Sequence, residues 1–491
     1  MPYGLKDIEL EKLSKVFAAN ERIERVVLYG SRAKGNYKPF SDVDITLEGA
    51  ELTHTDLNRI SLAIDDLLLP YQFDISIFHT LKNEALIDHI RRMGIMIYEK
   101  KSEWKEYKLG EFIKVKHGYA FSGEYITTEE TEQILVTPGN FYIGGGFKSD
   151  KYKYYKNNDF HQDYILHGGD IVVTMTDLSK DTDTLGYSAK IPFNSSKLFL
   201  HNQRIGLIHF LSDKVCPDYV YWLMRTKEYQ SYIVGSASGT SIMHTSPSRI
   251  EAYKCLFPPI DVQKRIAGVL SSLDDKIDLL HRENATLEAL AETLFRHYFI
   301  ESPNPEWKEG KLGDEFDFTM GQSPSGDSFN EDEIGIPMYQ GNADFGFRFP
   351  TRRVYTTAPT RFAEENDTLI SVRAPVGAQN MASEKCCIGR GVAAFRYKHN
   401  KEYYSYTYYK LKSLLEDIKS FNDNGTVFGS ISKSDFENLD IVIPDDEVIK
   451  MFQKQVKVID DKIINNNNEI QTLIQTRDGL LPRLMSGEVK L

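Results

Sequence analysis

The sequence predicts an α/β (α+β) multidomain protein. A small N-terminal α/β unit precedes two similar mixed domains, each followed by a long helix, and the two helices pair antiparallel about an approximate two-fold axis. Three observations predict this. Residues 104–491 repeat themselves, each copy ends in a heptad-patterned run, and residues 1–103 alternate helical and strand-like segments on their own. A chain of 491 residues has room for about three domains of ordinary size.

The N-terminal unit reads as helix (Leu5 to Phe17), strand (Val26 to Tyr29), loop, strand (Val43 to Leu47), helix (Leu57 to Leu68), strand (73–78) and a final helix. The loop and second strand read GSRAKGNYKPFSDVDI, residues 30–45. Side chains alternate across a strand, so Asp42 and Asp44 share a face. Two carboxylates converging there suit Mg²⁺ held against a polyphosphate. The Gly30-Ser31 turn offers backbone N–H groups and a hydroxyl to phosphate oxygens. The third strand brings another acid, Asp74, between Phe73 and Ile75, whose side chains point the other way.

The repeat shows in five places in the same order. WKEYKLGE (104–111) returns as WKEGKLGD (307–314), and TPGNFYIGGGF (137–147) as YQGNADFGFRF (339–349). GGDIVVT (168–174) is answered by ENDTLIS (365–371), HNQRIGLIHF (201–210) by CIGRGVAAFRY (387–397), and DDKI at 274–277 by DDKI at 460–463. Each copy holds short strand-like runs, then a proline break (FPPI, 257–260; VIPDD, 442–446) that opens a helix.

In the first helix Ile266, Leu273, Leu280, Leu287 and Leu294 recur every seventh residue, beside Leu270, Ile277, Asn284 and Ala291. In the second, Phe452, Ile459, Asn466, Leu473 and Leu480 form one row and Val456, Ile463 and Ile470 the other. Such seams predict a coiled coil, with amphipathic helices packed on a globular core as the alternative. Asn284 and Asn466 lie on the seams, where an Asn either fixes register in the dry interface or faces solvent at a splayed crossing. The expected boundaries are 1–103, 104–260, 261–301, 307–444 and 445–491.

A net charge of −12 argues against a protein that grips nucleic acid unaided. No apolar run reaches the roughly 20 residues of a membrane span, and the start MPYGLKDIELEKL lacks the pattern of a signal peptide. Cys216, Cys255, Cys386 and Cys387 lack zinc-ligand spacing, and the adjacent pair reads as strand packing in a reducing compartment. The chain is expected in the cytoplasm, with no membrane partner. It contains no P-loop, no NPPY-like tetrapeptide and no HExxH.

Residues 104–491 resemble the DNA-specificity subunits of type I restriction–modification systems. The resemblance rests on the W…KLG start of each half, Gly239-Thr240 and Gly425-Thr426 before the helices, PPIDVQKRIAGVLSSLDDKI, and the closing GLLPRLMSGEVKL. It implies that two target-recognition domains each read one half of a bipartite double-stranded DNA site. It implies too that the helices set the gap and dock methyltransferase subunits, two of them, with restriction/translocase subunits further out. S-adenosylmethionine then belongs to the methyltransferase alone, and this part of the chain catalyses nothing. Asn140 and Asn342, Arg204 and Arg390 are matched between the copies and have the right chemistry, Asn for adenine and Arg for guanine. A residue matched between domains that read different half-sites is more often a structural one, and the base readers are then expected in unmatched loops.

Residues 1–103 resemble the minimal nucleotidyltransferases of the polymerase-beta-like superfamily, in the order Gly-Ser, Asp-x-Asp, later strand Asp. By position the resemblance makes Gly30 and Ser31 the triphosphate cradle, Asp42 and Asp44 the Mg²⁺ ligands, and Asp74 the group that positions or activates an acceptor hydroxyl. Arg32 and Lys34 would neutralise phosphate charge, and an NTP would be the substrate. The leading expectation is a type I DNA-recognition subunit with a fused nucleotidyltransferase domain, itself catalytic or a binding module. The alternatives are an antitoxin-type nucleotidyltransferase that borrows a DNA-reading scaffold for targeting, and the specificity subunit of a type II-like system.

Overall fold

The computed structural model describes every residue except 1, 21, 39, 101–103, 150, 178–182, 195, 240–241, 374, 424–430 and 490. The expected boundary after residue 103, Thr240 and the pair Gly425-Thr426 therefore lie outside the described residues or at their edge. The chain forms two compact units, residues 1–265 and 266–491.

The N-terminal region runs α1 (Asp7–Ala18), β1 (Arg25–Tyr29), α2 (Gly30–Ala33), β2 (Val43–Glu48), α3 (His54–Asp65), β3 (Phe73–Ile77), α4 (Glu84–Met93) and β4 (Ile95–Glu99). Its sheet has the order β3-β2-β1-β4. β1 is antiparallel to β2 and β4, whereas β2 and β3 are parallel. β4 was not among the expected elements: its five residues IMIYE are too short to show a period, and follow directly on α4. Leu13 and Phe17 of α1, and Ile60 and Ile64 of α3, stand i, i+4 on their helices and bury with Val43, Ile45 and Leu47. Alternation along β2 therefore leaves Asp44 on the face away from those three. At the start of α3 Thr53 and Asp56 cap each other: the Thr53 N–H donates to Asp56 Oδ2 at 3.0 Å and the Asp56 N–H to Thr53 Oγ1 at 3.3 Å.

The repeat is present in both larger sheets and in the closing strand pair of each copy, while among the described residues the pair 176–177 with 243–244 belongs to the first copy alone. In the first copy a five-stranded sheet has the order 165–166, 198–201, 133–136, 153–155, 126–127, with 198–201 and 133–136 parallel. In the second the order is 362–363, 386–388, 336–339, 354–356, 329–330, with 386–388 and 336–339 parallel. The four-stranded antiparallel sheets correspond too: 188–190, 171–174, 205–210, 113–117 against 379–381, 368–371, 392–397, 316–320. So do the closing pairs, 105–108 with 254–257 and 308–311 with 440–443. Cys386 and Cys387 are buried in the strand Cys386–Ile388, and all four cysteines are free. Within the tyrosine-rich stretch EYYSYTYYKL (402–411) starts the helix Tyr404–Ser413, whose Tyr406, Tyr408 and Tyr409 are buried.

The long helices span Ile260–Arg296 and Asp446–Met485. Each starts beside a buried glutamine that bonds the domain before it. Gln263 Oε1 accepts from the Cys216 N–H at 2.9 Å, and Gln453 Oε1 from the Tyr406 N–H at 3.1 Å. The helices are antiparallel: Asp274 pairs with Arg477, Asn284 with Asn466, and Tyr298 with Gln455. In the middle Ile277, Leu280 and Ile470 form a dry seam flanked by Leu473. Beyond Asn284 the buried stripe moves to Glu288, Ala291, Phe295 and Phe299, leaving Leu287 and Leu294 half-buried. There the spacing is that of a helix lying on a globular core, and Phe295, Phe299, Phe452 and Val456 pack with Phe316, Tyr406 and Tyr409 of the second domain. Both expected modes of burial thus occur, at different heights of one helix pair.

Candidate functional site

The first candidate site lies on the face of the N-terminal sheet away from Val43, Ile45 and Leu47. Asp44 is half-buried on β2 and stands directly opposite Asp74 in the parallel β2–β3 register. Asp42, just before β2, and Asp74 are exposed. Burial, then the charges of Asp74 and Asp42, raise the pKa of Asp44 above the ordinary aspartate value, opposed by Arg32. Tyr29, at the end of β1, is raised first by burial and further by Asp74 and Asp44. Nothing in its sequence position marked it out beyond its place next to Gly30.

Gly30 has a φ of +73°, and a Cβ there would fall 2.0 Å from Asp44 Oδ2. Only glycine lets the backbone pass this close to the carboxylate. Ser31 is half-buried in α2, and Lys34 is exposed at its end. Arg32 is placed differently from the phosphate partner expected of it. Its side chain is 1% exposed, and its guanidinium donates to the carbonyls of Ser41 (2.7 Å), Asp42 (3.0 Å) and Tyr3 (3.1 Å). It also lies 4.8 Å from the Tyr71 ring. The cation thus fixes the backbone that delivers Asp42 and acts on Asp44 from within the domain.

Oxygen donors on three carboxylates are the right chemistry for a hard divalent cation. Among the described residues, however, no three His, Cys, Asp or Glu side chains converge as a ligating group. The exposed Asp42 and Asp74 would have to turn toward Asp44 to share an ion.

The second candidate site concerns the four residues matched between the copies, and there the backbone corrects the match. Asn140 is buried: its Oδ1 accepts from the Thr137 N–H at 3.0 Å, and its Nδ2 donates to the carbonyls of Lys148 and Lys151. A side chain so occupied holds a turn and reaches no base. Its counterpart in the second copy is Asp344 rather than the exposed Asn342. The Lys148 N–H donates to Asn140 O, and the Thr351 N–H to Asp344 O, each at 2.8 Å. Asp344 is likewise buried and accepts from the Gln340 N–H at 2.6 Å.

Arg204 and Arg390 are both exposed, in the same tight turn but one position apart. The Ile205 N–H donates to Asn202 O and the Val392 N–H to Gly389 O, each at 3.0 Å. The Met175 N–H donates to Arg204 O and the Val372 N–H to Gly391 O, each at 2.9 Å. Arg204 therefore corresponds to Gly391, and Arg390 to Gln203, a residue that sequence comparison passed over.

A family model for the type I restriction modification DNA specificity domain matches residues 101–289 and 304–476. The chain belongs to the type I restriction–modification DNA specificity subunits. This specificity subunit also carries an N-terminal nucleotidyltransferase domain, residues 11–103 matching the model for polymerase beta nucleotidyltransferases. It is 31% identical over 314 residues to the putative type I restriction enzyme MjaX specificity subunit of Methanocaldococcus jannaschii, covering 60% of this chain and 73% of that protein. It is 22% identical over 480 residues to the type I restriction enzyme HindI specificity subunit of Haemophilus influenzae, covering 79% of this chain and all of that one. The crystal structure of a type I restriction–modification S subunit from M. genitalium superposes with a TM-score of 0.51 at 20% identity, over 78% of this chain and 96% of that one. At that identity the likeness is one of fold. No described helix of the specificity subunit is long and apolar enough to cross a membrane.

Proposed function

We propose that each of the two β-rich domains reads one half of a bipartite double-stranded DNA site, and that the paired long helices dock the methyltransferase subunits of a type I complex. The observation that supports this is the repeat of both larger sheets and the closing pair, in which one backbone frame carries different side chains in each copy. Two similar frames with different surfaces suit a target made of two different short elements. Catalysis on DNA lies with the partners: the methyltransferase, which uses S-adenosylmethionine, and a restriction/translocase subunit. Those partners also add phosphate contacts to a chain whose net charge is −12. Duplexes selected from a random library by the complex, purified with its natural partners, should share two short elements at a fixed spacing. Enrichment of a single contiguous element, or none, contradicts the proposal.

The N-terminal domain is in this reading an active nucleotidyltransferase. Asp42 and Asp44 would hold Mg²⁺, which would supply charge neutralisation at the phosphates. The Gly30-Ser31 turn binds the NTP triphosphate, with Lys34 reaching its charge from the surface. Asp74 orients an acceptor hydroxyl and takes its proton. The acceptor oxygen bonds to the α-phosphorus, the bond to the β-phosphate oxygen breaks, and pyrophosphate leaves. Label from an α-labelled NTP should appear on a macromolecule of the complex and vanish in Asp42→Ala/Asp44→Ala. Absence of transfer with all four nucleotides would leave the domain as a binding module.

A further inference from the structure

The tight turn at 202–205 and 389–392 carries an inference beyond the assignment of one half-site to each domain, and it rests on that assignment. The two turns share one hydrogen-bond frame. Besides the bonds already given, the Gly118 N–H donates to Ile205 O at 3.3 Å and the Gly321 N–H to Val392 O at 2.9 Å. The Tyr119 N–H donates to His201 O at 2.8 Å and the Gln322 N–H to Ile388 O at 3.0 Å. The strand entering the turn and the strand leaving it belong to different sheets, so both sheets of each domain hold the tip in place.

On this common frame the tip presents different chemistry. At its second position stand Gln203 in the first domain and Arg390 in the second, both exposed. Beside the tip are Tyr119, 45% exposed, in the first domain and the exposed Gln322 in the second. The second turn is also flanked by cations. Arg361 accepts the Ile388 N–H on its carbonyl, and Arg373 follows Val372, which bonds Gly391 O. Arg361, Arg373 and Arg390 are exposed and form no ion pair among the described residues, whereas Arg352, Arg353 and Arg396 of the same domain each pair with an acid. Uncompensated arginines on an acidic chain give the local positive surface that phosphate contact needs.

We infer that this turn is a base-reading element in both domains, with Gln203 selecting adenine in one half-site and Arg390 selecting guanine in the other. Gln bonds the N6 and N7 edge of adenine, and Arg the O6 and N7 edge of guanine. A rigid tip whose side chains differ between the copies changes the base read without changing the fold.

The test expresses the full chain with its methyltransferase partner in cells lacking restriction, and maps methylated motifs genome-wide for wild type, Gln203→Arg and Arg390→Gln. The expected result is a shift of about tenfold in base preference at one position. Gln203→Arg shifts it from adenine to guanine in one half, Arg390→Gln from guanine to adenine in the other, and every other position is unchanged. A wild-type protein that supports no split motif overturns the half-site assignment itself. A split motif that both variants methylate with unaltered preference overturns only the role of the turn. Where a variant yields no methylation, the purified complex is offered duplexes randomised at each position in turn. Altered or flattened preference at one position of one half supports the inference, and unaltered preference or uniform loss at all positions overturns it.

Discussion

Asn466 donates its side-chain amide to Asn284 Oδ1 at 2.9 Å, and both residues are buried in the seam between the antiparallel helices. The same amide reaches Glu283 Oε2 at 2.9 Å. One hydrogen bond therefore joins the two seam asparagines, and it forms at one sliding position of the helices only. Asn466→Leu leaves Asn284 without its partner and should destabilise the second unit by about 1–3 kcal/mol. The double change Asn284→Leu/Asn466→Leu should recover most of that, and allow the helices more than one register. Urea unfolding of the four proteins of the cycle, with cysteine cross-linking across the seam, checks both parts.

Arg348 Nη2 donates to Asp460 Oδ1 at 2.7 Å with both side chains almost wholly buried, and the guanidinium stacks 3.4 Å over the Tyr408 ring. Burial alone would lower the Arg348 pKa, and the charges around it, Asp460 foremost, outweigh that and hold it above its ordinary value. Asp460→Ala strands a charge in the core between the second domain and its helix, and should cost about 3–5 kcal/mol. Screening does not reach a dry pair, so the loss should be the same in low and high salt. A midpoint difference that shrinks with salt in thermal melts would show instead that the pair is open to solvent.

His201 lies in the core just before the first turn, and its Nε2–H donates to Ile205 O at 2.8 Å. Burial lowers its pKa from 6.5 to about 4. Between these values the unfolded chain binds a proton that the folded one refuses. The His201 contribution to stability is therefore constant above pH 6.5, falls by about 3 kcal/mol as the pH drops toward 4, and levels off below. A His201→Gln protein should lack this component. Unfolding midpoints of the two proteins between pH 4 and 8 separate it from the general effect of acid.

Gly30 faces Asp44 so closely that Gly30→Ala must displace the carboxylate or the turn. The expected outcome is loss of nucleotide transfer by about 10²-fold with the fold retained, since a displacement of an ångström suffices for that. Arg32→Met should behave otherwise: it releases the carbonyls of Ser41, Asp42 and Tyr3, so the melting temperature of the N-terminal domain falls along with activity. Circular dichroism melts beside labelled-NTP assays distinguish the two.

The repeat, the helix pair and the acid motif were legible because each is a periodic or spaced pattern. What was not legible depended on pairing across the chain. Strand β4 has five residues and no period of its own. The juxtaposition of Asp44 and Asp74 comes from a parallel register that no local signal sets. Arg32 has the charge of a phosphate binder, but its burial beneath Tyr3 and Ser41 is a tertiary fact. Matching Gly139-Asn140 with Gly341-Asn342 looked secure by identity, yet two further residues precede the equivalent buried acid, Asp344, in the second copy. Only the hydrogen-bond frame reveals that shift, and the same frame brings Gln203 into view opposite Arg390.

On the proposed function this chain determines which DNA sequence its partners modify. The methylation pattern of genomic DNA from cells carrying the methyltransferase partner, with and without this chain, measures that directly. One split motif should be fully methylated with the chain present and unmethylated without it. The same motif methylated in its absence, or no motif in its presence, would contradict the proposal.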